Sequence, residues 1–141
     1  MAFESNGTGI ARLLGQEGAG TLLGIALRIE DGLPVSTLDH LRRQVGDRVF
    51  DRAIPHATAR RLRRRGGRLS ATTGERLYRL AVVYLHAMRI YRDDASAAGD
   101  FLLAPHMMLR DMVPIDVAVG GSSGRDAVLE VLDGLEQSLS A

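Results

Sequence analysis

The sequence predicts an all-α protein. Valine and isoleucine fall in patterns with a period near 3.6 residues rather than in alternation. Aromatic residues, which favour strands, make up only 4 % of the chain. Glycines, prolines and capping residues cut the apolar pattern into helix-length pieces.

Taken in order, Thr8 to Leu14 reads as a short first helix. Thr21 to Glu30 is a second, with Leu22, Leu23, Ala26, Leu27 and Ile29 as a broad apolar face. Gly32 ends it and Pro34 forbids its continuation. Ser36 and Asp39 have capping-box spacing for a third helix, striped by Leu38, Leu41 and Val45 and stopped at Gly46. Asp47 caps a short fourth helix through Ala53, and a turn at Ile54-Pro55-His56 leads into a fifth, Ala57 to Arg65, closed by Gly66-Gly67. Ser70 or Thr72 starts the longest helix, which runs to about Tyr91. Leu77, Leu80, Ala81, Tyr84, Ala87, Met88 and Tyr91 form one sustained apolar face. Val82, Val83 and Leu85 lie off that face, so a second side is also covered, by the same chain or by a partner. Asp93 or Asp94 caps an Ala-rich helix ending at Phe101-Leu102-Leu103, and Pro105 breaks it. Pro114 suits the first turn of a short helix, Ile115 to Val119. Gly120 to Gly124 reads as a loop and cap before a last helix, Arg125 to Leu139, with Val128, Val131, Leu132, Leu135 and Leu139 on one face.

The 141 residues suffice for one good core or two small modules. No apolar run approaches the roughly 20 residues of a membrane span. Met1 to Gly9 is polar and Gly-rich, unlike a signal peptide. The absence of cysteine excludes disulfides and thiolate chemistry and suits a cytoplasmic setting. All 18 basic side chains are arginines. Twelve of them stand against seven acids in residues 1–68, a net +5; six stand against ten in residues 69–141, a net −4. A basic front half and an acidic back half suggest two surfaces with different partners, set against chance clustering on a solvated surface. No internal repeat is visible.

Arg60 to Arg68 packs six of the 18 arginines into nine positions. The fourth helix, the Ile54-Pro55-His56 turn and the fifth helix have the lengths of a helix-turn-helix. In that reading Ala59 and Leu62 pack inward, while Thr58, Arg60, Arg61, Arg64 and Arg65 face DNA, where arginine binds guanine or phosphate. The competing reading is a solvated basic helix joining two subdomains, and spacing alone does not separate them.

Other constellations are weaker. Val117 to Arg125 resembles a phosphate cradle but lacks the P-loop lysine and the GxGxxG spacing; a helix cap is the plainer reading. His40, His56, His86 and His106 have no partner at metal-ligand spacing and read as surface or hydrogen-bonded structural histidines. Ser122 and Ser123 have no nucleophile elbow. No catalytic set, metal site or cofactor site is expected. Met107, Met108 and Met112, with Phe101 and Leu109, read as an adaptable apolar cluster; such clusters can bind partners, and core is the plainer reading.

Several stretches together resemble the Xre/MbcA/ParS antitoxins that pair with RES-domain toxins. Arg68-Leu69-Ser70 followed by Glu75-Arg76-Leu77-Tyr78-Arg79-Leu80 is similar to the entry of that family's C-terminal domain. Ala87, Ile90 and Tyr91, then Ala97 and Phe101-Leu102, then Pro105, Leu109 and Pro114-Ile115-Asp116 follow in the family's order. Gly124, Val128, Leu132 and Leu135 fit its closing pattern. Upstream, Glu30 to Val35 and Ile54 to Arg61 are similar to its Xre-like front module. Phe101 stands where the family has tryptophan, His106 where it has asparagine, and the closing tyrosine-glycine is absent after Leu135.

The resemblance implies an Xre-like helix-turn-helix module over residues 1–67, with the order of residues 1–19 left open, and a toxin-binding domain over 68–141. It implies a homodimeric antitoxin without enzymatic activity. The final helix would cover the active-site cleft of an NAD-consuming or ADP-ribosylating toxin, and the front module would bind operator DNA and repress the operon. The toxin-facing residues it implies on that helix are Arg125, Asp126, Leu129, Glu130, Asp133 and Glu136. An acidic helix suits a cleft built for an anionic ligand. No membrane or small-molecule substrate is implied. The competing reading is a plain helix-turn-helix regulator whose back domain only dimerises.

Overall fold

The computed structural model describes residues 2–140. Met1 and Ala141, the outermost residues of the two expected modules, lie outside the described residues. The described chain is all-α: α1 (Ala2–Leu13), α2 (Leu22–Asp31), α3 (Thr37–Val45), α4 (Asp47–Ala53), α5 (His56–Arg65), α6 (Ala71–Ile90), α7 (Ala95–Leu103), α8 (Pro114–Val119) and α9 (Ser122–Ser140), with 3-10 turns at Glu17–Ala19 and Met107–Leu109. No helix among the described residues is long and apolar enough to cross a membrane.

The local chemistry at the helix ends accounts for most boundaries. Thr21 caps α2 by accepting from the Gly24 N–H at 3.0 Å, and Gly32, at φ 103°, ends it. Ser70 caps α6 by accepting from Thr73, and Asp94 caps α7 by accepting from Ala97. Pro114 occupies the first turn of α8. Two expected caps are absent. Ser36 makes no side-chain cap bond; its box partner Asp39 is taken by Arg63 instead. Asp47 lies inside α4, with Gly46 at the cap position, and its carboxylate accepts from Arg42 at 2.9 Å. The guanidinium brings a full opposite charge to the carboxylate, where a backbone N–H brings only a dipole. The first helix begins earlier than its apolar pattern, and within it Gly9 lies close against α6: a Cβ there would sit 2.8 Å from Leu85.

α6 is the spine. Leu77, Leu80, Ala81, Tyr84 and Ala87 are buried on one side, and Val83 is buried off that stripe. The second side is covered by the same chain, through α1. α1, α2 and α3 pack on α6 from the front half; α7, α8 and α9 pack on it from the back. One continuous core results, running through Leu14, Ile29, Leu41, Phe50, Leu80, Leu102, Ile115 and Leu132. It crosses the expected 67/68 division. At that division Gly66 and Gly67, at φ 66° and 75°, turn the chain back onto the front half. Leu69 N–H then bonds Leu33 O at 2.7 Å, and Val35 N–H bonds Gly67 O at 3.0 Å.

Two candidate binding surfaces

α4 and α5 meet at a corner turned by Pro55. Pro55 has no N–H to lose at the turn and forces Ile54 into extended backbone, which ends α4. Ala59 is buried and Leu62 half-buried, as the pattern predicts. Arg63 is folded onto Asp39, with guanidinium–carboxylate distances of 2.9 and 3.0 Å. Thr58 is half-buried, beside Arg61 and Arg64 on a shallow open surface. Arg60, Arg61, Arg64 and Arg65 are exposed, and none has a carboxylate within 4.0 Å among the described residues. Four uncompensated cations therefore share one helix, whose C-terminal dipole favours cations in its last turn.

The base of this corner is held by the back half. Arg76 of α6 donates to Ala53 O at 2.8 Å, the last carbonyl before the turn. Arg52 of α4 grips Asp116 of α8 with both arms, at 2.8 and 2.6 Å. This fork holds the Asp116 carboxyl below its usual range and raises Arg52. Arg48 reaches Asp100 of α7 at 3.1 Å. Arg79 caps the end of α8, donating twice to Val119 O at 3.1 and 2.7 Å; burial lowers its pKa. The charge asymmetry is thus partly internal. Two front arginines are neutralised by back acids, while Arg60, Arg61, Arg64 and Arg65 of α5 have no carboxylate within ion-pair distance among the described residues.

On α9, Val128 and Leu132 are fully buried and Val131 and Leu135 half-buried. The first turn lies tight against α8: a Cβ on Gly124 would come 2.1 Å from Val117 O. The helix starts at Ser122 rather than Arg125, so Gly124 is a packing residue and not part of a loop. The opposite side is an exposed acidic strip of Asp126, Glu130 and Asp133. His86 of α6 bonds Asp133 at 2.6 Å and ties the strip to the spine. Arg125 is half-buried and pairs with Asp126 at 3.0 Å. Leu129 is half-buried at the edge of the packed face, and Glu136 is exposed nearer Arg89 and Arg92. Of the expected toxin-facing residues, three therefore form one strip and three lie around it.

The histidines behave as structural groups. His40 Nε2 bonds Arg12 O, and His106 Nδ1 accepts from Met108 N–H while its ring meets the edge of Phe101. His56 is exposed.

The methionines depart from expectation. Met107, Met108 and Met112 are 81, 71 and 49 % exposed, and only Leu109 of that segment is buried. Pro105 and Pro114 bracket the segment and keep it out of a helix. A bridge from His106 N–H to Met112 O at 3.1 Å closes it into a tight loop that turns one side chain inward. The loop forms one wall of a groove whose other wall is α9, lined by Met108, Leu109, Ala127, Val131 and Leu135 with Glu130 at its rim. The exposed methionines follow from the prolines rather than from periodicity, and the two prolines were the available signal.

Residues 86–137 match the family model described as the antitoxin Xre/MbcA/ParS C-terminal toxin-binding domain. The resemblance read from the sequence is borne out over that stretch, which runs from the second half of α6 into α9. The match supports an antitoxin role and a toxin as partner. No curated protein matches the chain.

Proposed function

We propose that this chain is a cytoplasmic, homodimeric antitoxin that neutralises a RES-type NAD-consuming or ADP-ribosylating toxin and represses its own operon. The observation that carries the reading is the acidic strip of α9 inside the stretch matched to a toxin-binding domain. A cleft that accepts an anionic dinucleotide is positive, and Asp126, Glu130 and Asp133 offer the complementary surface. The RES class rests on the residue-by-residue resemblance. Repression is supported by the unpaired cations of α5 in a helix-turn-helix corner, and a two-fold dimer would present two such corners to a palindromic site. The front and back modules are the two faces of this function, joined over one core.

Co-expression with the neighbouring toxin reading frame tests the first part. Deleting residues 123–141 is a poor test, because it removes Val128 and Leu132 from the core. Reversing Glu130 to Arg and changing Asp126 and Asp133 to Asn removes the negative strip while leaving acceptors for Arg125 and His86 and the core untouched; it should abolish growth rescue with little change in thermal stability. Rescue by the reversed variant would sink the proposed mode of neutralisation. For the second part, changing Arg60, Arg61 and Arg64 to Ala should weaken operator binding and flatten its log–log salt dependence by about 3 per protomer, or about 5 for a dimer. Unchanged operator binding would leave α5 as a solvated helix.

A further inference from the structure

We infer that the groove between the 106–112 loop and α9 is the second half of the toxin interface, and that it receives an apolar anchor flanked by a basic residue of the toxin. The inference rests on the antitoxin reading and adds to it the surface that the acidic strip lacks: a place to bury apolar contact.

Three observations carry it. Met107 and Met108 are among the most exposed large apolar side chains described, at 81 and 71 %, and Met108 lines a cavity of about 340 Å³. Apolar surface of this kind, left open and rimmed by polar groups, marks a binding surface. The wall that carries these side chains is fixed. Four bonds centred on His106 close the loop: its N–H donates to Met112 O, its carbonyl accepts from Leu109 and Asp111 N–H, and its Nδ1 accepts from Met108 N–H. Arg110 and Asp111 are held at φ 54° and 62°, a conformation costly for residues with a Cβ. The unbranched methionines then adapt to an incoming side chain on a rigid frame.

Charge selects the occupant. Glu130 forms the rim and continues into Asp126 and Asp133. A second copy of this chain docked here by two-fold symmetry would bring the same acidic strip against itself. A partner with a basic residue beside its apolar anchor gains where a second copy loses. Both walls also lie within the 86–137 match to a toxin-binding domain.

Gly134 provides the test. It lines the groove, and a Cβ there would meet nothing within 4 Å. Gly134→Phe fills the groove from an open position on the helix, and Gly134→Ala leaves it open. The probe is the purified, catalytically disabled product of the adjoining toxin reading frame, titrated calorimetrically. Gly134→Phe should weaken binding about 30-fold or more, the scale of an interfacial hot spot, with unchanged melting temperature. Gly134→Ala should bind like wild type. Met108→Glu, at an exposed position, should weaken binding without any demand on the core. If wild type binds the toxin and both Gly134→Phe and Met108→Glu bind as well, the groove inference fails and the antitoxin reading stands. If Gly134→Phe instead turns a dimer into a monomer, the occupant is a second copy and the inference is overturned. If wild type does not bind the toxin at all, both readings fall.

Discussion

The α5 face and the α9 face display opposite chemistry. Four arginines without acidic partners line the first; three carboxylates beside an open methionine-lined groove form the second. Each is a helix whose inner side is pinned to the same core. α5 is pinned lightly, through Ala59 and half-buried Leu62, whereas α9 is pinned through Val128 and Leu132. The difference teaches how one small core carries two chemically opposite surfaces. The proposed nucleic-acid contact would need charge and a fixed helix axis, and the corner and Arg76 on Ala53 O supply both. A protein surface needs apolar contact as well as charge, and only α9 has a groove beside its acids.

The strongest way to break the comparison is through what the two faces share. Phe50 of α4 is 1 % exposed in the continuous core. Phe50→Ala should cost about 3–5 kcal/mol. Hydrogen exchange should show protection falling together in α4 and α9. Loss confined to α3–α5 would mean that the halves are energetically separate, and the shared-core account would be wrong.

A smaller effect should fall on the back face alone. Gly124→Ala drives a Cβ toward Val117 O, a backbone atom that cannot swing aside. The two helices must separate, at a cost of about 1–3 kcal/mol. Toxin binding should suffer and operator binding should not. If Gly124→Ala melts like wild type, α8 and α9 are less tightly apposed than described.

Most of this architecture was legible in the sequence. The α6 stripe, the Pro55 corner, the Pro114 start and the inward Ala59 and Leu62 all follow from periodicity and punctuation. These are local rules acting within one turn of helix. What escaped was decided by distant partners. Asp39 and Asp47 have the spacing of capping residues, but arginines at 63 and 42 compete for them. Leu22, Leu23 and Leu27 belong to an apolar pattern yet remain 42–69 % exposed, because only Ile25 and Ile29 of α2 face the core. The methionines looked like core by composition, and no periodicity exists between two prolines to show which side faces inward. The surplus of arginine over acid in the front half was visible. Which arginines were already spent on Asp100 and Asp116 was not.

The Arg52–Asp116 fork joins the two regions directly, and its pH dependence is the gentlest probe of that joint. Asp116 titrates below its ordinary value of 3.8, mainly because Arg52 donates hydrogen bonds to the charged carboxylate. A depressed carboxyl contributes stability that is fully present above the unfolded value and fades as pH falls through the folded one. Arg52, pushed upward, stays charged throughout this range. Both side chains are roughly half exposed, so solvent screens the pair and its contribution is small. Arg52→Gln should therefore lower stability slightly at pH 7, and the urea-unfolding curves of variant and wild type should draw together below pH 3.8. A gap that persists unchanged into that acid range would mean that Arg52 holds α4 on α8 by packing its stem rather than by charge.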